Sequence, residues 1–154
     1  MNINFRKANI ADYEDVNNYL CKLNDEHYKN MPDYFEKSEG TFYTLKKFKE
    51  VRLKDLFILI LLNNENIGMV QIRYLDNSIA YLYAIYIEEK YREQGIGQIA
   101  LQYTEDILRK NGWDILRLTV WDYNKAIHLY ERNGYVLWEE KNDYCTELYK
   151  KLRD

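Results

Sequence analysis

The chain has 154 residues but only one proline, two cysteines, two histidines and six glycines, and each scarcity closes off a class of protein. With so little proline and glycine it shows no linker, repeat or low-complexity tract. The composition therefore predicts one ordinary domain over residues 1–154, long enough to bury roughly two-thirds of its unfolded surface without covalent staples. Cys21 and Cys145 lie far apart and match no metal or redox spacing, so they read as two free thiols, with Cys21 half-buried. Basic charge is not in excess either. The 22 Lys and Arg against 25 Asp and Glu leave a net charge of −3, which excludes a field able to hold nucleic acid or an anionic membrane. The longest apolar run, Leu56 to Leu62, is too short to span a bilayer, and Met1-Asn2-Ile3-Asn4 opens a strand-like segment rather than a signal peptide. These absences predict a soluble, cytoplasmic protein that suits a cationic partner.

What the chain has in excess is tyrosine. Its 16 rings are more than a core of this size can seal away, so some line a groove or an interface, such as that of a homodimer. A compositional bias toward Asn, Lys, Ile and Tyr accounts for the same count without any role.

Hydrophobic periodicity sets the order of elements. Ile3 to Arg6 is a short strand, and Asp12 can cap the helix that follows, where Tyr13, Val16, Tyr19, Leu20 and Leu23 recur at helical spacing. The lone Pro32 ends that region. Phe42 to Leu53 is a second helical or mixed segment around Leu45, Phe48 and Val51. Phe57 to Leu62 is a buried strand, turned by Asn63-Asn64-Glu65-Asn66 into Ile67 to Tyr74, and Asp76-Asn77-Ser78 turns the chain again into Ile79 to Ile87. Ile96, Ile99, Ala100, Tyr103, Ile107 and Leu108 then mark a helix closed by Asn111-Gly112. Ile115 to Val120 is a strand, and the strand-helix-strand step makes it parallel to Ile79 to Ile87. A short helix from about Lys125 to Arg132 ends at Asn133-Gly134, and Tyr135 to Trp138 with Cys145 to Lys150 close the chain. The expected fold class is α/β in the α+β sense: β-α-α-β-β-β-α-β-α-β-β, a mixed, mostly antiparallel sheet flanked by helices.

The stretch with the clearest chemistry is Arg92-Glu93-Gln94-Gly95-Ile96-Gly97, between an apolar strand and an amphipathic helix. Two glycines one residue apart let the backbone adopt φ > 0 and present bare N–H groups. Those amides open a helix, whose unpaired donors and positive dipole end stabilise a pyrophosphate, with Arg92 adding a full charge. No Lys-Ser or Lys-Thr follows, which excludes the nucleoside-triphosphate P-loop. Gly95, Gly97 and Ala100 match the dinucleotide spacing formally. That fingerprint belongs near the start of a βαβ unit, however, with an acidic residue about 20 residues on, and this loop lies two-thirds along the chain. What remains is R-x-x-G-x-G after an apolar strand.

That pattern within Y-R-E-Q-G-I-G, followed by L-Y-E-R-N-G-Y in the element order above, resembles the GNAT N-acetyltransferase superfamily across essentially the whole chain. Phe5-Arg6-Lys7-Ala8 with Asp12 resembles the family's opening strand and first helix. The resemblance implies that acetyl-coenzyme A lies where two parallel strands splay, here Ile79 to Ile87 and Ile115 to Val120. It implies that the backbone of Ile85 and Ile87 pairs with the pantetheine arm, with Tyr86 between them in the same cofactor-binding stretch; the alternation of apolar residues reads the isoleucine side chains as core. Arg92, Glu93, Gln94, Gly95, Ile96, Gly97 and Gln98 would hold the pyrophosphate. Tyr130 matches the tyrosine that protonates the departing thiolate, a task open to a phenol of pKa ~10; the alternative is an aromatic that packs a helix onto the sheet. Asn124 resembles the asparagine that contacts the cofactor arm, although it stands six residues before Tyr130 where the family has seven. It is a cofactor contact or a helix cap.

An ammonium of pKa ~10 must lose a proton before it attacks a thioester, and the strand Ile79 to Ile87 contains no acid. Glu88 just past its end, His27, His128 and Asp122 are candidate bases, and the proton can also leave through water along Tyr81 or Tyr83. The resemblance implies an acetyl-coenzyme A-dependent N-acetyltransferase using direct transfer in a ternary complex, with no metal and with a small amine or a peptide or protein amine as acceptor. Acids within Asp25 to Glu39 suit a cationic acceptor or equally a solvated helix face. A module that binds and senses coenzyme A without turnover is the alternative. At 100 times its dissociation constant, acetyl-coenzyme A should stabilise the fold by about 2.7 kcal/mol and raise the melting temperature, with NADH and ATP shifting it much less. Equal shifts from all three would identify a generic anion site.

Overall fold

A computed structural model of the chain describes residues 2–76, 78–139 and 143–153. Its strands are β1 (Ile3–Lys7), β2 (Leu56–Leu62), β3 (Glu65–Tyr74), β4 (Ile79–Ile87), β5 (Ile115–Trp121), β6 (Val136–Leu137) and β7 (Cys145–Lys151); its helices are α1 (Tyr13–Asn30), α2 (Leu45–Val51), α3 (Ile96–Lys110) and α4 (Ile127–Arg132). The strands form one mixed, mostly antiparallel sheet in the order β1-β2-β3-β4-β5-β7-β6, and the element order is the one the periodicity predicts. Met1 of the strand-like opening segment and Asn77 of the expected turn after β3 lie outside the described residues. Among the described residues no helix is long and apolar enough to cross a membrane. The chain divides into two compact units, Met1–Gln71 with Ala84–Glu93 and Ile72–Tyr83 with Gln94–Asp154, so β3 and β4 contribute residues to both.

In the first unit β1 pairs antiparallel with β2 from Ile3↔Leu62 to Lys7↔Ile58. Only Asn63 and Asn64 join β2 to β3, at φ 49° and 68°, because asparagine tolerates the left-handed region that a two-residue hairpin needs. The turn is thus two residues shorter than expected, and β3 starts at Glu65. Val16, Tyr19 and Leu20 of α1 pack with Phe48, Phe57, Leu59, Met69, Ala84 and Tyr86 in one core cluster. Each such burial contributes about 1.5–3 kcal/mol. The seven-residue α2 depends on it, since Phe48 is fully buried with its ring 5.3 Å from Phe57.

Three local expectations change. Asp12 immediately precedes α1 but makes no side-chain cap; its carboxylate instead holds Arg6 at 2.8 and 3.0 Å and accepts the Asn9 N–H at 2.8 Å. The second helix is shorter than Phe42 to Leu53, because Asn17 Oδ1 accepts the Phe42 and Tyr43 N–H groups and Thr44 caps the start at Leu45. Cys21 is buried rather than half-buried, since it sits on the core face of α1; neither Cys21 nor Cys145 is in a disulfide.

In the second unit β4 pairs with β5 in the expected parallel sense, from Ile79↔Ile115 to Leu82↔Leu118, and both strands run on beyond that ladder. β5 pairs antiparallel with β7, and β7 with β6. Helix α3 closes as the sequence suggests, with Gly112 at φ 85° and the Trp113 N–H returning to the Leu108 carbonyl at 3.0 Å. Its buried stripe of Ile96, Ala100, Leu101, Thr104 and Leu108 also contains one carboxylate, Glu105.

Gly68 sets the close approach of β3 to the end of β4. A Cβ there would lie 2.1 Å from the Tyr86 carbonyl oxygen and 3.0 Å from the Ile87 Cα, and the neighbouring Ile67 carbonyl accepts the Glu88 N–H at 2.8 Å. Gly68→Ala should therefore force the strands apart and destabilise the protein by about 1–3 kcal/mol, read as a lower urea midpoint. An unchanged midpoint would show that the two strands separate at no cost.

Candidate functional site

Alternation along β4 sends Ala80, Leu82, Ala84 and Tyr86 into the core and leaves Ile85 and Ile87 half-buried on the opposite side. Those two isoleucines are not the core residues expected, because the core side of this stretch is taken by Tyr86 between them. The Tyr86 ring stacks on Tyr19 of α1 with centroids 5.7 Å apart, and the Tyr19 hydroxyl donates to the Glu88 carboxylate. Burial, and then the Glu88 charge, push the Tyr19 phenol up. Beside them lies an open groove of about 750 Å³, lined by Asp25 and Glu26 of α1, by Glu88 and Glu89 past β4, and by three lysines.

After β4 the chain makes one 3₁₀ turn, Glu89–Tyr91, and then passes through Glu93 at φ 62° and Gly95 at φ 83°. Gly95 is the N-cap of the 15-residue α3 and, having no side chain, caps none of the first amides of that helix. A Cβ built on Gly95 meets nothing within 4 Å, so the backbone there is open to a ligand. Gly97 lies within the first helical turn and is not left-handed, so only one of the two glycines has the expected φ > 0. Arg92 is tied back: its Nε donates to the Ile87 carbonyl at 2.7 Å, its Nη2 meets Glu26 at 2.6 Å, and its guanidinium lies 5.1 Å from the Tyr86 centroid. Its charge is thus compensated by Glu26, which leaves attraction of an anion to the amides and the helix dipole. These ties bring Tyr86, Ile87 and Arg92 together on α1. Gln94 to Gln98, Asn124 and Tyr130 belong to the second unit.

Asn124 Oδ1 accepts the Ala126 N–H at 2.9 Å, so its side chain caps the turn into α4 and leaves only Nδ2 to meet a ligand. The helix α4 starts at Ile127 rather than at Lys125, with Ala126 and not Asn124 as its N-cap. Tyr130 is 5% exposed, its ring 5.7 Å from that of Tyr135 at 68°. Burial pushes its phenol up, so it stays protonated at neutral pH. Gln98 exchanges two amide hydrogen bonds with Asn133, at 2.5 and 2.6 Å, which commits its side chain to the end of α4. The Tyr81 hydroxyl lies 2.6 Å from that of Thr119, next to the end of the β4–β5 ladder. Sequence reasoning missed Gly68 and the pairing of Gln98 with Asn133. An isolated glycine in a strand pattern is the signal that marks a close backbone approach, whereas nothing local marks the amide pair.

Among the candidate bases, burial lowers the His27 imidazole to about 4, and its ring stacks on Phe35 at 4.8 Å. It is neutral at pH 7 and too weak a base to draw a proton from an ammonium. His128 is exposed, 3.8 Å from Glu131 on the same helix. Glu88 is half-buried and hydrogen-bonded by Tyr19, not a solvated turn residue. Among the described residues no group of three or more His, Cys, Asp or Glu is placed to hold a metal ion.

Residues 19–135 match the family model described as the Acetyltransferase (GNAT) family. Over 140 residues the chain is 25% identical to an uncharacterized N-acetyltransferase, YdgE, of Bacillus subtilis (strain 168), spanning 87% of this chain and 80% of that protein. It is similar in structure to the PaiA N-acetyltransferase from Thermoplasma acidophilum in complex with coenzyme A, with a TM-score of 0.80, 24% identity, and coverage of 98% of this chain and 99% of that one. An acetyltransferase of GNAT family from Streptococcus pneumoniae superposes with a TM-score of 0.76 and 21% identity, covering 97% of this chain and 99% of that one. At these identities the structural likeness speaks to the fold.

The His27 environment has a consequence for acid stability. Its pKa falls from 6.5 to about 4 on folding, so the unfolded chain takes up the proton first; this contribution is intact above pH 6.5 and is lost as pH falls toward 4. His27→Phe keeps a ring against Phe35 and removes that proton. Its urea stability should decline less between pH 7 and 4 than the parent's, and parallel declines would remove His27 from the acid response.

Proposed function

The chain belongs to the GNAT acetyltransferase family, and from that premise we propose that this enzyme moves the acetyl group of acetyl-coenzyme A to a primary amine by direct transfer in a ternary complex, the whole chain acting as one N-acetyltransferase domain. The observation that carries the reading is the uncapped start of α3 behind the left-handed Gly95. Bare amides at a positive dipole end suit a pyrophosphate, and the open space at Gly95 lets one approach. Gly95, Ile96, Gly97 and Gln98 would offer backbone N–H groups, while Arg92, Glu93 and Gln94 shape the turn that presents them. Past the ladder that ends at Leu82↔Leu118, the backbone of Ile85 and Ile87 would pair with the pantetheine arm. Asn124 would add its Nδ2.

Acetyl-coenzyme A supplies a thioester; the amine nitrogen attacks its carbonyl carbon, the C–N bond forms, the C–S bond breaks and a thiolate leaves. The ammonium proton must go first, to Glu88 or to water. The Tyr130 phenol, raised by burial, is a weaker acid than a thiol of pKa ~8.5. Full proton transfer to the sulfur would therefore be uphill, and the hydroxyl acts by donating a hydrogen bond as negative charge builds. The acceptor is a small amine or a peptide or protein amine, and the carboxylates of the groove suit one that carries positive charge.

A hydrogen bond to a charged group contributes about 1.5–3 kcal/mol, which corresponds to roughly tenfold to a hundredfold in rate. Tyr130→Phe, assayed by thiol release from acetyl-coenzyme A across a panel of amines, should lose that much in kcat while calorimetry finds coenzyme A bound as before. Normal turnover would reduce Tyr130 to a packing residue. No thiol release from the parent enzyme with any amine would favour the sensing module.

A further inference from the structure

Helix α4 has six residues, fewer than two turns, and cannot hold its own position. It is held by α3. Gln98 and Glu105 lie seven residues apart on α3, so two helical turns place them along one face. Gln98 takes Asn133 at the end of α4, and the Glu105 carboxylate accepts the Tyr135 hydroxyl at 2.8 Å. Tyr135 is coupled to Tyr130 twice: its N–H donates to the Tyr130 carbonyl at 3.1 Å, and its ring meets the Tyr130 ring edge-on.

Glu105 is 1% exposed, and Lys150 at 2.8 Å compensates its charge, with Arg109 at 3.5 Å. A buried ion pair of this kind is no more stabilising than well-packed apolar side chains, but its hydrogen bonds have direction. The direction is what the neighbouring ring needs. We infer that Glu105 and Tyr135 are positioning residues for Tyr130: the carboxylate fixes the Tyr135 ring, and that ring sets the Tyr130 phenol in register with the helix whose N-terminus carries the bare amides. The inference rests on the reading of Tyr130 as hydrogen-bond donor to the leaving sulfur. A donor displaced by about 1 Å can lose a hundredfold in rate, so a second residue that fixes it acts on kcat rather than on affinity.

The test compares Tyr135→Phe and Glu105→Gln, each in the parent and in a Tyr130→Phe background, with acetyl-coenzyme A as donor and water or the amine panel as acceptor. Tyr135→Phe should lower kcat about tenfold with little change in KM for acetyl-coenzyme A, and Glu105→Gln, which keeps an oxygen to accept the Tyr135 hydroxyl, should lose less. In the Tyr130→Phe background neither should slow turnover further. A merely structural role would lower the melting temperature while leaving kcat intact below it, or would give the same loss in both backgrounds; either result overturns the inference. Slow turnover in Tyr130→Phe with normal turnover in Tyr135→Phe refutes positioning alone. Normal turnover in Tyr130→Phe refutes the role of Tyr130 and positioning with it.

Discussion

Helix α3 starts without a capping side chain, and the residues on either side of its first turn are arranged around that deficit. A Ser, Thr, Asp or Asn at an N-cap stabilises a helix by about 1 kcal/mol, and Gly95 forgoes it. Glu93 adds a cost of the same order by adopting a left-handed backbone without being glycine. Strain of this kind persists where surrounding structure holds it in place. Here the long, amphipathic body of α3 does so, through its buried apolar stripe and the left-handed Gly112 just past its C-cap. An anion at the helix start restores the hydrogen bonds that the missing cap would have made.

Two ionic clusters illustrate different uses of charge. Arg92 and Glu26 are each about one-third exposed, so their pairing is worth well under the energy of a buried contact. What the cluster supplies is geometry. One guanidinium touches the Ile87 carbonyl, a carboxylate of α1 and the face of Tyr86, and so fixes the end of β4 against α1. Glu105 is the opposite case, a carboxylate sealed inside the second unit whose orientation is dictated by Tyr135 and Lys150. Both clusters hold a side chain or strand end in place.

Much of the architecture was legible in the chain because it follows from local periods. The two-residue alternation of β4 and β5, the 3.6-residue recurrence in α3 and the glycine after Lys110 each depend on near neighbours, and the parallel pairing of β4 with β5 follows from the helix between them. The loop from Arg92 to Gly97 was legible for the same reason, since glycine spacing and a helix start are adjacent in sequence. Side-chain partners were not. Asp12 looks like a cap until Arg6 arrives from β1, and the Gln98 side chain looks open to a ligand until Asn133 meets it. Asn124 had two readings, and the bond its Oδ1 accepts from the Ala126 N–H ahead of α4 is one that spacing alone does not show.

The sequence by itself determined which segments are strands and helices, their order, and the presence of one uncapped, glycine-led helix suited to an anion. Those properties are set by backbone sterics and by hydrophobic spacing over a few residues. Only the tertiary structure decided that Arg92 spends its charge on Glu26, that Ile85 and Ile87 stand off the core while Tyr86 enters it, that Gly68 admits the Tyr86 carbonyl, and that a buried Glu105 reaches Tyr135. Each of these is a contact between residues far apart in the chain, and hydrogen bonds and close packing depend on distances that no local pattern encodes.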